Sequence, residues 1–154
     1  MDLSDLLKLG SIRVSAGVKS KKRLFQDIAE LAQAAYGIDA SQAVDALQER
    51  ESLGPTGVGH GVALPHARID GLTRVVGVFV RLERPFDYGS VDRAPVDLVF
   101  ALFAPREAGV EHLKALALVS RTLRDPALCA KLRANAEVET LFAILTAHPD
   151  SKAA

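Results

Sequence analysis

The chain has 154 residues in which 19 Lys and Arg balance 19 Asp and Glu, so its formal net charge is zero. With 49% hydrophobic and 25% charged residues it has the composition of one folded globular domain, which excludes a disordered tail and needs neither disulfide nor structural metal to hold its core. No net positive field is available to hold a polyanion, and the one dense basic run, Lys19, Lys21, Lys22 and Arg23, is too short to supply a local one, so no nucleic-acid partner is expected.

The start, Met1-Asp2-Leu3-Ser4-Asp5-Leu6-Leu7, lacks the basic opening and apolar core of a signal peptide. No stretch of about 18 uncharged apolar residues follows that would insert in a membrane, and a cytoplasmic location is expected. Leu24, Phe25, Ile28, Leu31, Ala32 and Ala35 recur at helical spacing, which predicts an amphipathic helix over 20–36 ended by Gly37. Ser41 is suited to cap a second helix over 42–51, whose apolar stripe of Ala43, Val44 and Leu47 is continued by Arg50.

Gly54-Pro55-Thr56-Gly57-Val58-Gly59-His60-Gly61 places four of the chain's eleven glycines in eight positions. Tight turns or very short strands are predicted there, with backbone able to approach another group closely. Val75–Leu82 and Val96–Phe103 read as buried strands, and Pro85–Gly89 as a short edge strand before a loop. Helices are predicted over 110–123, 126–134 and 137–147. The lone Cys129 has no partner for a disulfide, a Cys-rich zinc site or a redox pair, which fits a reducing compartment. No segment repeats, so the chain reads as a single unit over 1–154, with an ordered core over about 3–148. Helices at both ends of a strand-rich middle imply an α/β layered domain with a mixed sheet.

Four histidines are unequally informative. His148 sits in the tail as a solvated helix end, and His60 lies between two glycines in an exposed turn. His66 follows Val62-Ala63-Leu64-Pro65, so its imidazole falls where a short apolar strand ends; the plain alternative is a loop histidine satisfied by a backbone carbonyl. His112 falls in the first turn of a helix, where the dipole disfavours imidazolium and free N–H groups attract an anion; its alternative role is to pack on the core with Leu116. Arg50 on a buried stripe needs a partner, either a carboxylate such as Glu51 or Asp97 or a bound phosphate.

Two histidines, an arginine, Thr56 and a run of glycine amides are together well suited to holding a phosphoryl group on an imidazole nitrogen. That reaction needs an in-line nucleophile and donors for three equatorial oxygens. There is no Walker pattern, no kinase motif set and no pair of carboxylates spaced for magnesium. A nucleotide-independent histidine carrier, with no cofactor and no metal, fits these residues better than an ATP enzyme.

The run Arg50-Glu51-Ser52-Leu53-Gly54-Pro55-Thr56-Gly57-Val58-Gly59-His60-Gly61-Val62-Ala63-Leu64-Pro65-His66 closely resembles the signature of the fructose/mannitol-type enzyme IIA proteins of the bacterial phosphoenolpyruvate-dependent phosphotransferase system. Glu111-His112-Leu113 is similar to that family's second histidine element, and Pro85-Phe86-Asp87-Tyr88 resembles the nitrogen-regulatory branch (enzyme IIA-Ntr). The resemblance implies a three-layer α/β/α domain around a mixed sheet of about five strands. It implies phosphorylation of His66 on Nε2 and support of the phosphoryl group by Arg50 and His112; the residues themselves add Thr56 and Gly57 as expected phosphate contacts. It also implies a histidine phosphocarrier protein as donor, and sensor kinases and potassium transporters as regulatory targets. Pro55 stands where the branch usually has Ser, and Ala67 where Gly often follows the active histidine. Two other readings compete: a sugar-specific enzyme IIA passing phosphate to an enzyme IIB, and a zinc-binding regulatory module using His60, His66 and His112.

Overall fold

Residues 1–147 are described by the computed structural model, so His148 lies outside the described residues. Its central element is β6 (Val96–Pro105), a run so apolar that it must be covered on both sides. Alternate residues sort accordingly: Leu98, Phe100, Leu102 and Ala104 pack into one core cluster, while Val99, Ala101 and Phe103 pack into another on the opposite face. Helices α1 (Lys21–Tyr36) and α2 (Ala40–Ser52) supply the side chains of the second cluster. Helices α3 (Gly109–Leu123), α4 (Pro126–Arg133) and α5 (Val138–Ala147) supply those of the first. The result is the three-layer α/β/α arrangement implied by the resemblance.

The sheet is mixed and holds six described strands, one more than expected, because residues 57–69, within and just after the glycine-rich run, contribute three short ones. β5 (Val76–Phe86) runs antiparallel to β6 with Phe79 opposite Phe100, and β1 (Ile12–Ser15) lies parallel to β5. On the other side of β6, β3 (Val62–Ala63) pairs with Leu98 and Val99, and β4 (His66–Ile69) pairs with Leu102 to Pro105, both in parallel. β2 (Gly57–Gly59) is antiparallel to β3.

Three boundaries differ from the expectations. Asp39, not Ser41, caps α2, its carboxylate accepting the Gln42 N–H at 2.9 Å. Pro85 and Phe86 are not a separate edge strand; they extend β5 past an irregularity between Arg81 and Phe86 in its pairing with β6. Finally, His66 does not end a strand but opens one. β3 and β4 are in effect one strand on β6, interrupted at Leu64 and Pro65, where Pro65 has no N–H to give the ladder.

Candidate active site

That interruption is what prepares His66. With the chain turned out of the ladder at Leu64, the Leu64 carbonyl receives the imidazole Nδ1 of His66 at 2.9 Å. A carbonyl can only accept, so Nδ1 carries the proton and Nε2 keeps its lone pair. On the other side Arg50 donates from Nε to Nε2 at 3.3 Å, and a guanidinium can only donate, which selects the same tautomer. Burial lowers the His66 pKa below the ordinary imidazole value, and the Arg50 charge adds to the effect against the carbonyl of Leu64 and the charge of Glu51. The ring is therefore neutral at physiological pH, with Nε2 as its nucleophilic nitrogen.

Arg50 reaches this position from the last turn of α2, on the stripe that buries Ala43 and Leu47. Neither carboxylate suggested by the sequence pairs with it. Asp97 is held by Arg133 at 2.9 Å, and Glu51 turns to Lys21 at 2.9 Å. Arg50 instead spans from His66 to the Gly54 carbonyl, which its Nη1 meets at 2.9 Å.

His112 comes from the opposite helical layer. It lies near the N-terminal end of α3, its backbone N–H already bonded to the Ala108 carbonyl at 3.0 Å, and its ring stands edge-on to that of His66 with centroids 5.5 Å apart. The residue is 5% exposed, so it belongs to the core as well as to the helix end. Neither ring nitrogen has a hydrogen-bond partner among the described residues, and Glu111 does not orient it. Burial, then the nearby His66 and Arg68, push its pKa down to about 4. Two buried, unpartnered ring nitrogens beside the His66 ring are expensive in isolation and leave a donor and an acceptor free for a polar ligand.

These three side chains share an open cavity of about 450 Å³ with Arg68 and Arg106. Arg106 is paired with Asp70, whereas Arg68 is anchored by Nη1 on the Arg106 carbonyl at 2.9 Å and has no carboxylate partner among the described residues. Sequence reasoning missed Arg68, although the signal was present: two residues beyond His66 on a strand, it faces the same side, while Ala67 and Ile69 turn inward. Leu53 and Leu113, 80% and 68% exposed, form an apolar rim to the same cavity.

Thr56 and Gly57 do not line this cavity. The Thr56 hydroxyl lies 2.5 Å from Glu51 Oε1 and 2.7 Å from the Tyr88 hydroxyl, so it is consumed in a buried cluster and is not free for a phosphate oxygen. Gly57 is small for a packing reason: a Cβ there would collide with the side chain of Ser90. His60 is also apart, exposed beside Asp92, and among the described residues no group of three His, Cys, Asp or Glu is placed to hold a metal ion. This separation removes the zinc reading built on His60, His66 and His112.

Known proteins resemble this chain over nearly its whole length. The family model for the phosphoenolpyruvate-dependent sugar phosphotransferase system, EIIA 2, matches residues 5–148. A nitrogen regulatory protein of Bradyrhizobium diazoefficiens is 41% identical over 153 residues, spanning 99% of this chain and 100% of that one. One from Escherichia coli K12 is 39% identical over 147 residues, spanning 95% and 90%. The crystal structure of nitrogen regulatory protein IIA-Ntr from Neisseria meningitidis superposes with a TM-score of 0.87 at 33% identity, covering 94% of this chain and 99% of that one. No described helix is long and apolar enough to cross a membrane. The chain thus belongs to the EIIA 2 family of the phosphoenolpyruvate-dependent sugar phosphotransferase system, a family of phosphotransfer components, and within it to the nitrogen-regulatory branch.

Proposed function

We propose that this protein is a phosphohistidine carrier whose His66 accepts a phosphoryl group on Nε2 from a histidine phosphocarrier protein. The observation that carries the reading is the fixed tautomer: Nδ1 is committed to the Leu64 carbonyl at 2.9 Å, and Nε2 faces a guanidinium in an open cavity. In the transfer, the P–N bond to the donor histidine breaks as the P–Nε2 bond to His66 forms, and the electron pair returns to the donor imidazole. Nδ1 keeps its proton, donated to the Leu64 carbonyl throughout, so no base is needed. Arg50 gives up its contact with Nε2 and offers its fork to the equatorial oxygens, and a His112 N–H supplies a further donor. Arg68 adds positive charge at the mouth. Because Nδ1 keeps its proton, the product is a dianionic phosphoryl group on a cationic ring, and the two states differ by one net negative charge beside the apolar rim of Leu53 and Leu113, which is a physical basis for state-dependent binding of regulatory targets such as the sensor kinases and potassium transporters implied by the family resemblance.

The test is incubation with phosphoenolpyruvate, enzyme I and the phosphocarrier protein, read by intact mass. Wild type gains one HPO₃. His66→Ala gains none while unfolding at nearly the wild-type denaturant midpoint, because the residue is only half-buried. Labelling of His66→Ala at the wild-type level contradicts the assignment.

A further inference from the structure

The buried cluster that takes up Thr56 lies directly behind the site and has no place in the reaction as described. Its centre is the Glu51 carboxylate, which accepts from four donors: Lys21 Nζ at 2.9 Å, the Thr56 backbone N–H at 3.0 Å, the Thr56 hydroxyl at 2.5 Å and the Tyr88 hydroxyl at 3.1 Å. A carboxylate has two oxygens and about four lone-pair directions, so this one is saturated. Its partners come from the start of α1, the loop before β2 and the segment after β5. Glu51 also follows Arg50 directly in the chain. The Glu51 carboxylate closes the turn 51–56 through the Thr56 N–H, and the turn presents the Gly54 carbonyl that holds Arg50 Nη1. Backbone bonds from Leu53 N–H to the Arg50 carbonyl and from Gly54 N–H to the Glu51 carbonyl tighten the same loop.

We propose that Glu51, with Thr56 and Tyr88, is a positioning unit for phosphoryl transfer: by closing the 51–56 turn it fixes the Gly54 carbonyl and so the angle at which the Arg50 guanidinium meets His66. The unit touches neither the phosphoryl group nor His66. It acts through one side chain, Arg50, and it rests on the phosphocarrier reading given above. Without it the turn keeps only backbone bonds, the two at its tight end and the one from the Leu64 N–H to the Thr56 carbonyl at 2.9 Å, none of which fixes the Gly54 carbonyl itself, and Arg50 samples orientations away from Nε2. A misplacement of that kind slows a step that depends on aligned donors far more than it weakens donor docking.

The chemistry of the cluster dictates the variants. Glu51→Ala removes all four contacts. Glu51→Gln can keep them: its carbonyl oxygen takes Lys21 and the Thr56 N–H, while its NH₂ donates to the two hydroxyls, which can each reverse roles. Thr56→Val removes the hydroxyl without changing shape, and Thr56→Ser restores it. In single-turnover transfer from the phosphorylated carrier, the expected result is a rate roughly 10- to 100-fold lower for Glu51→Ala and about 10-fold lower for Thr56→Val, with the half-saturating carrier concentration within about twofold of wild type. Glu51→Gln and Thr56→Ser should recover to within about threefold. A second readout needs no phosphate: the Arg50 Nε–H resonance, slowed in exchange by its bond to His66 in wild type and in the Gln and Ser variants, should broaden with solvent exchange in Glu51→Ala and Thr56→Val. Wild-type rates and an unchanged Arg50 resonance in folded Thr56→Val overturn the proposal. Absence of phosphate uptake by wild type overturns the carrier reading instead, and the Arg50 resonance still tests the positioning.

Discussion

At the residue scale, the chemistry of the site is set by what the neighbours of three side chains can and cannot do. Arg50 carries a planar fork whose Nε and Nη1 already point to two different acceptors, His66 and Gly54. Lysine keeps the charge and loses the fork, so Arg50→Lys should slow transfer by roughly 10- to 1000-fold with little loss of stability. His112 gives a prediction in pH. Its folded pKa of about 4 lies below the ordinary imidazole value of 6.5, so the unfolded chain takes up a proton that the folded protein refuses. Stability from this group is complete above about 6.5, falls as pH drops from there to about 4, and is then flat, a total of about 1–3 kcal/mol once solvent screening at the open cavity is allowed for. The lowered pKa of His66 acts in the same direction. Urea midpoints of His112→Gln should therefore fall less between pH 7 and pH 4 than those of wild type. Because His112 is buried, His112→Ala should also cost about 1–3 kcal/mol, more than a helix-end position alone implies, and Gln should retain more phosphate uptake than Ala.

At the scale of elements, the parts with a strong period are legible in the sequence. The stripe of α1, its Gly37 terminus at φ 72°, and the apolar β5 and β6 follow from hydropathy and backbone freedom alone. β1 escapes because the alternation of Ile12-Arg13-Val14-Ser15 lasts only four residues, too short to stand out, and only pairing with Phe79 to Leu82 makes them a strand. The start of β4 at His66 reads in sequence as the end of a strand for a related reason: Pro65 interrupts the pairing, and sequence alone does not say that it resumes on the same neighbour. His66, Arg50 and His112 are legible as chemistry, whereas the fate of Thr56 is not, because Tyr88 is distant in sequence and Glu51 gives no sign of its orientation, so both meet the hydroxyl only in the fold. The cap of α2 offers a clean check. Asp39→Ala should lose about 1 kcal/mol in denaturant unfolding, while Ser41→Ala, which removes no cap contact, should stay within about 0.5 kcal/mol.

At the scale of the whole molecule, the site exists because two helical layers reach round one edge of the sheet. β4 pairs with β6 and has no further described strand beside it, so His66 stands where α2 brings Arg50 from one layer and α3 brings His112 from the other. Neither layer alone assembles the three groups, and with no net charge on the chain the cation needed at the site comes from local placement of Arg50 and Arg68. In the proposed reaction this edge presents His66 Nε2 to an incoming phosphoryl group while Nδ1 keeps its proton, bonded to the Leu64 carbonyl. The most direct measurement is long-range ¹H–¹⁵N NMR of the protein phosphorylated by the carrier, with ¹⁵N-labelled histidine. A single phosphohistidine at His66 is expected, with phosphorus on Nε2 and the proton on Nδ1; phosphorus on Nδ1, or on His60 or His112, would overturn the assignment.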